Sequence, residues 1–298
     1  MSKFNKILDL CYNSNMIKQG DTIGIIALAG NCDKEKIMIA VKNLESLGYK
    51  IKLSKNIFDQ NNYLAGSDED RVAELHNFFL NPEIKLILNA RGGYGSIRLI
   101  NKINYDIIKS NPKPFCGFSD ITALLLMFYR KCGLVTYHGP MLCSDFVEIN
   151  DVTINNFLKV FGENDLEFVG TTIFKEGNAE GIIWGGNLST VVSLCGLDFI
   201  PDEDFIFFAE DLNEPAYKID RMFTQLFNID NFAKNCRAIV LGDFLGVDNQ
   251  EYLEDYFKTL ALPVVGGLKI THRDEKISLP VGKFAQLCNN KLRINNGN

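Results

Sequence analysis

Pro114-Phe-Cys-Gly-Phe-Ser-Asp-Ile-Thr-Ala-Leu-Leu-Leu-Met-Phe-Tyr-Arg-Lys131 is the stretch around which the 298-residue chain is organised. Phe115, Cys116 and Phe118 form a short apolar run that reads as a buried strand. Gly117 permits a tight turn. Ser119 then opens a segment that is apolar nearly all round, and a helix of that kind is central and buried. A serine between a buried strand and a buried helix has the setting of a nucleophile elbow, where the next N–H and the helix N-terminus stabilise an oxyanion. The same serine also suits an N-cap, accepting a hydrogen bond from an N–H one turn into the helix. Gly-Phe-Ser-Asp-Ile lacks the second glycine of Gly-x-Ser-x-Gly, so both readings stand on local sequence.

Toward the N-terminus, Asp21-Thr-Ile-Gly-Ile-Ile-Ala-Leu-Ala-Gly30 reads as a buried parallel-type strand ending in a glycine turn. Asp33 to Leu47 has helical periodicity, with Ile37, Ala40, Val41 and Leu44 on one face and Gly48 as its stop. Tyr49 to Leu53 is a second strand. Asp68 to Phe79 is a second helix with Val72, Leu75 and Phe79 inward, and Ile84 to Leu88 is a third strand. Asn89-Ala-Arg-Gly-Gly-Tyr-Gly-Ser96 follows, then a helix from Ser96 to about Ile103. Beyond the Ser119 unit, Leu134 to Tyr137 is one more strand. Strands alternating with helices over residues 21 to 140 argue a parallel, Rossmann-like α/β domain. Ligands gather at the carboxyl ends of such strands, and Gly30, the Arg91–Gly95 loop, Ser119 and His138 all fall there.

After about residue 148 the pattern changes. Asp151 to Phe161 reads as a linking helix, and Phe168 to Phe174 and the Ala179 segment as strands. Leu188 to Cys195 is a short buried helix, and Phe205 to Ala209 a buried strand. Pro215 suits a first helical position, with Ile219, Met222, Phe223 and Leu226 on one face. Ala238 to Leu241 is a strand, Tyr252 to Leu260 a helix, and Leu262 to Leu268 an apolar run. The expected organisation is an N-terminal domain over 1–150, a linker over 151–175, and a smaller strand-rich α+β domain over 176–298.

Composition narrows the function classes. The hydrophobic fraction is 46%, the charged fraction 23% and the formal net charge −6, which fits a globular chain and argues against a phosphate-backbone partner. Eight cysteines (11, 32, 116, 132, 143, 195, 236, 288) form no Cys-x-x-Cys pair; this suits reduced thiols rather than a disulfide framework. The first ten residues have no apolar h-region and no run reaches ~18 apolar residues, so a cytoplasmic, non-membrane protein is expected. His76, His138 and His272 sit in no metal-binding spacing, so no metal or other cofactor is expected.

Arg91-Gly-Gly-Tyr-Gly95 lacks the spacing of a nucleotide-binding fingerprint. It reads either as a tight turn needing positive φ or as a source of oxyanion donors, with Arg91 near to receive a carboxylate. A serine nucleophile needs a base and an acid to orient it. His272 is the base candidate, in a polar turn between apolar segments, although an exposed loop histidine is the plainer alternative. Glu210 ends an apolar run, where a carboxylate is costly unless paired. Glu210 and Glu214 could equally serve as favourable charge before the helix at Pro215.

Taken together these blocks resemble the serine LD-carboxypeptidase family, which includes muramoyltetrapeptide carboxypeptidases and microcin C immunity peptidases. The matching text is Arg-Gly-Gly-Tyr-Gly (91–95), Gly-Phe-Ser-Asp-Ile-Thr (117–122), His-Gly-Pro-Met (138–141) and Trp-Gly-Gly-Asn-Leu (184–188). It continues through Glu-Asp-x-Asn-Glu-Pro-x-Tyr-x-Ile-Asp-Arg (210–221) and His272 followed by Leu-Pro-Val-Gly (279–282). The resemblance implies Ser119 as nucleophile, His272 as general base and Glu210 as its orienting carboxylate, in a cleft between the two domains. It implies an oxyanion hole from the Asp120 N–H and the Gly92–Gly93 turn, and substrate contacts from Arg91, Tyr94, Trp184, Asn187, Glu214 and Arg221. Arg91 or Arg221 would read the terminal carboxylate. One departure stands out, since the family usually has glycine before the histidine and this chain has Thr271. The implied reaction is hydrolysis of the L-to-D peptide bond of a murein tetrapeptide, releasing D-alanine, by a homodimer. Two alternatives remain: a self-immunity peptidase cleaving a peptidyl- or aminoacyl-nucleotide, and a non-catalytic two-domain binder of small ligands.

Overall fold

The alternating strands and helices read from residues 21 to 140 do build a parallel sheet in the computed structural model, which describes residues 17–162 and 165–295. The first ten residues and Cys11 lie outside the described residues. The strands are β1 (Thr22–Ile26), β2 (Lys50–Leu53), β3 (Ile84–Asn89), β4 (Phe115–Gly117) and β5 (Thr136–His138), then β6 (Asp165–Val169), β7 (Thr172–Lys175), β8 (Asn178–Asn187), β9 (Phe205–Leu212) and β10 (Cys236–Leu245). β11 (Val264–Gly266), β12 (Leu279–Val281), β13 (Phe284–Cys288) and β14 (Lys291–Asn295) complete them.

One sheet runs β12-β5-β4-β3-β1-β2, parallel from β5 to β2. Its strand order reverses between β1 and β3, and a parallel sheet opens a crevice at such a point, beyond the carboxyl ends of the strands. There the two loops meet, with the Gly30 N–H donating to Gly92 O at 3.0 Å. The other sheet runs β6-β14-β13-β8-β9-β10-β11-β7, with β8, β9, β10 and β11 parallel and its outer strands antiparallel. β12 crosses back to pair antiparallel with β5, Leu279 opposite His138, and so ties the second half of the chain to the first sheet.

The helices follow from the expected faces. Lys34–Ser46 is capped by the Asp33 carboxylate and buries Ile37, Ala40, Val41 and Leu44. Asp68–Leu80 is capped by Ser67 and buries Val72, Leu75 and Phe79, and Thr122–Cys132 buries every residue from Thr122 to Phe128. The helix Ala216–Phe227 has Pro215 as its cap residue and buries Ile219, Phe223 and Leu226.

Three elements depart from the sequence reading. The helix expected from Ser96 to Ile103 is a 3₁₀ turn, Ser96–Leu99, followed by a separate helix, Tyr105–Ser110. Ser96 is pinned by Asp120, and Asn104 restarts the chain by capping Asp106 N. The expected strand at Phe168–Phe174 is divided, with β6 and β7 on opposite edges of the second sheet. The hairpin β13–β14 carries no apolar run to announce it; its burial alternates strictly, with Ala285, Leu287, Leu292 and Ile294 inward.

Arg71 is an interior feature that sets the glycine loop. Fully buried on the helix Asp68–Leu80, it donates through Nη1 to Leu28 O at 2.5 Å and Gly95 O at 3.1 Å, and through Nη2 to Asp68 Oδ1 at 2.6 Å. Arg71→Leu leaves the buried Leu28 and Gly95 carbonyls without this donor, while Asp68 keeps Arg98 on both carboxylate oxygens. It should cost about 2–4 kcal/mol of unfolding free energy, read by chemical denaturation; a loss below about 1 kcal/mol would contradict this.

Candidate active site

Ser119 is not an N-cap. It lies just past β4 at φ +59°, a left-handed conformation that a non-glycine residue adopts only at a cost of about 1–2 kcal/mol. The position before the 3₁₀ turn Ser119–Ile121 is Phe118, and no side chain caps that turn. The strained, half-buried serine between a buried strand and a buried helix therefore has the elbow geometry. Gly117 makes the bend possible, because a Cβ there would sit 2.8 Å from Ile121 Cγ2.

Gly92 packs directly against this elbow. A Cβ on Gly92 would lie 3.0 Å from Ser119 Cβ and 3.4 Å from Asp120 N. Glycine is thus the residue that lets the loop backbone approach both the serine and the amide after it. Asp120 locks the loop's exit, its Oδ2 accepting from Ser96 N at 2.8 Å and its carbonyl from Ser96 Oγ at 2.5 Å. Burial pushes the Asp120 carboxyl up from its ordinary value, against the hydrogen bonds from Ser96 and the Gly95 amide. Arg91 is exposed and donates through Nη1 to Asn31 O at 2.7 Å, so its guanidinium is held over the strand-order reversal. Tyr94 is half exposed on the same loop.

The second sheet carries the candidate acid. Glu210 is fully buried within β9, which continues to Leu212 rather than ending at Ala209 as the apolar run alone suggests. Its Oε2 lies 2.8 Å from His272 Nδ1. Neither carboxylate oxygen makes a well-aligned hydrogen bond, however; such contacts commonly straighten only when substrate binds. Burial raises the Glu210 carboxyl above the usual range, and the neighbouring His272 opposes the rise. His272 stands between β11 and β12 in a turn held at several points. Thr271 Oγ1 donates to Asp243 Oδ2 at 2.8 Å and accepts from Arg273 N at 3.1 Å. Thr153 Oγ1 donates to Asp274 O at 2.5 Å and accepts from Lys276 N at 3.0 Å. Thr271, the departure noted in the sequence, is therefore an integral brace of the turn. The His272 ring packs edge-on against Phe118, centroids 4.9 Å apart, which brings the histidine beside the residue preceding Ser119.

Not every expected contact residue faces this site. Trp184 is completely buried among Phe199, Phe205, Phe207 and Phe232, so its place is the aromatic core and not a substrate surface. Asn187 is spent on structure: Oδ1 accepts from Thr190 N at 3.1 Å to cap the helix Leu188–Ser193, and Nδ2 donates to Asp211 Oδ1 at 3.0 Å. Its backbone N–H donates to Thr122 Oγ1 at 3.1 Å, tying the helix that follows the elbow to the second sheet. Glu214 pairs with Lys218 at 3.3 Å, and exposed Arg221 lies over the Tyr217 ring at 5.3 Å. Both sit on or beside the outer helix Ala216–Phe227. The sequence reading did not anticipate the roles of Thr122, Thr153, Asp145 and Lys276, whose partners are remote in the chain and leave no local spacing signal.

His138, the last residue of β5, is buried beside this centre, and burial with the charges of His272 and Lys276 pushes its imidazole down to about 3. Between the ordinary value of 6.5 and about 3, the unfolded chain takes up a proton at His138 that the native protein refuses. Native stability is therefore lost as pH falls through that window, by up to about 1.4 kcal/mol per pH unit. Urea denaturation of wild type and His138→Gln at several pH values from 7 to 4 should show a shallower loss in the variant; equal slopes would contradict the assignment.

The chain resembles known proteins over most of its length. A family model described as the LD-carboxypeptidase N-terminal domain matches residues 23–139, and one described as the LD-carboxypeptidase C-terminal domain matches residues 180–287. A Bacillus subtilis (strain 168) protein named "Probable murein peptide carboxypeptidase" is 35% identical, over 94% of this chain and 93% of its own. A crystal structure of an MccF-like protein from Bacillus anthracis superposes with a TM-score of 0.88 at 29% identity, covering 94% of this chain and 98% of that one. The muramoyltetrapeptide carboxypeptidase from Oxalobacter formigenes superposes with a TM-score of 0.85 at 28% identity, covering 92% and 98%. The chain belongs to the LD-carboxypeptidase family.

Proposed function

We propose that this protein is a serine LD-carboxypeptidase that hydrolyses the L-to-D peptide bond of murein tetrapeptides, with Ser119 as nucleophile, His272 as general base and Glu210 as the group that orients it. The observation that carries the reading is the strained Ser119 backbone, one residue from a ring that packs on His272, while the buried Glu210 lies 2.8 Å from that histidine. A non-catalytic binder has no use for this combination of backbone strain and a buried carboxylate. The nucleophile belongs to the α/β domain over 1–150, and the acid and base to the second domain, whose sheet takes in β6 and β7 from the expected 151–175 linker. Substrate lies at their seam.

Ser119 Oγ attacks the scissile carbonyl while His272 Nε2 takes its proton, and the buried Glu210 carboxylate stabilises the imidazolium through Nδ1. The Asp120 N–H and one N–H of the Gly92–Gly93 turn stabilise the tetrahedral oxyanion. His272 then protonates the departing D-alanine amine, and water repeats the sequence to free the acyl group. Arg91 reads the terminal carboxylate, since it stands on the loop whose Gly92 abuts the serine; Arg221, on the outer helix, is the weaker choice.

The murein reading is favoured over cleavage of a nucleotide conjugate because the Bacillus subtilis relative named a probable murein peptide carboxypeptidase is 35% identical, against 27% for an Escherichia coli microcin C7 self-immunity protein. A cytoplasmic setting suits the described cysteines, all of which are free. Among the described residues no helix is long and apolar enough to cross a membrane. Assembly as a homodimer follows from the family resemblance, and sedimentation velocity decides it.

Wild type should release D-alanine from murein tetrapeptide in the presence of EDTA. Ser119→Ala should abolish release, and Glu210→Gln should lower kcat by about 10³- to 10⁴-fold. Turnover by Ser119→Ala at the wild-type rate would refute the mechanism, and release only from an aminoacyl-nucleotide would move the substrate to the other branch. Arg91→Ala should raise KM by about 10- to 100-fold with kcat little changed; an unchanged KM would remove Arg91 from carboxylate recognition.

A further inference from the structure

Lys276 and Asp145 form an ion pair at 2.5 Å whose side chains are 4% and 2% exposed. The pair joins two elements far apart in the chain. Asp145 ends the short helix Leu142–Asp145 that follows β5, and Lys276 lies in the turn that carries His272. Asp145 is fully engaged, its Oδ2 accepting from Met141 N at 2.8 Å and Ser144 Oγ at 2.5 Å. The lysine ammonium also stands over the Phe118 ring, 4.2 Å from its centroid, and the same ring meets the His272 edge. Phe118 is thus held between a cation and the proposed base, and the next residue is the proposed nucleophile.

A buried ion pair contributes little net stability compared with apolar residues of the same volume, but its contacts are directional. A cation over an aromatic face adds attraction that depends on where the ring lies. We infer that Lys276 is a positioning residue: anchored by Asp145, it holds the Phe118 ring and the His272 turn in register, and so fixes the base relative to Ser119. This rests on the reading of Ser119 and His272 given above.

Lys276→Met removes the cation but leaves the Asp145 charge buried alone, so the single variant will lose stability for that reason. The double variant Lys276→Met/Asp145→Asn removes that charge while keeping the acceptor for Met141 and Ser144, and its thermal midpoint should recover. With tetrapeptide as substrate, the double variant should still show kcat lowered about 10- to 100-fold, with KM within about twofold of wild type. Lys276→Arg, which keeps a cation able to pair and stack, should restore most of kcat. The His272 Cε1–H and Cδ2–H NMR signals sense the Phe118 ring current and require no substrate. They should move in the double variant and return toward wild-type positions in Lys276→Arg. A double variant with recovered stability, wild-type kcat and unmoved His272 signals would overturn the inference. If wild type proves inactive on tetrapeptide, the assigned reaction falls, and the NMR signals then decide the role of Lys276 alone.

Discussion

A carboxylate without solvent is the constraint on which the site depends. Glu210 is embedded in β9 with neighbouring strands on both sides, where an unpaired charge would cost several kcal/mol. The chain meets that cost with a histidine delivered by a turn more than one strand away. β11 leads out of the second sheet, β12 returns to the first, and the His272 turn between them is stitched to Asp243 by Thr271 and to the helix Asp151–Gly162 by Thr153. The sheet crossing and the buried acid are therefore parts of one arrangement. Glu210 needs His272 nearby, and β12 brings the turn across the seam.

The first sheet solves the complementary problem of presenting a hydroxyl. Parallel strands release their connections at one edge, and the reversal of order between β1 and β3 leaves a crevice there. The Arg91–Gly95 loop enters it, braced from behind by buried Arg71 and from the exit by Asp120. Backbone strain at Ser119 is sustained by packing on every side, with Gly92 against the side chain, Gly117 against Ile121 and Thr122 bonded to the second sheet. The loop, elbow and seam contacts thus hold the serine in a conformation it would not adopt alone.

How much of this is legible in the sequence depends on the distance between cause and effect along the chain. The helices at Lys34–Ser46 and Asp68–Leu80 are written in local caps and periodic apolar faces, and their buried residues match the expected ones. Ser119 and Glu210 stand out because polar groups interrupt or end apolar runs, whereas His272 lies in a polar turn and is singled out by the family resemblance. The nature of the Ser119 position is not local: a serine before an apolar helix reads equally as a cap, and its positive φ emerges only in the fold, where Gly92 and Gly117 leave room for the elbow. Trp184 misleads for the opposite reason, since the family resemblance implies a substrate contact while four phenylalanines enclose it in the core. Lys276 and Asp145 look like ordinary surface charges until β12 crosses the seam.

The central claim is that Ser119 becomes covalently acylated. Acid quenching of wild-type protein during tetrapeptide turnover, followed by peptide mapping by mass spectrometry, tests it most directly. A single adduct of the tripeptide acyl group, confined to the Ser119 hydroxyl, is the expected result. Steady turnover with an adduct on another residue would contradict it.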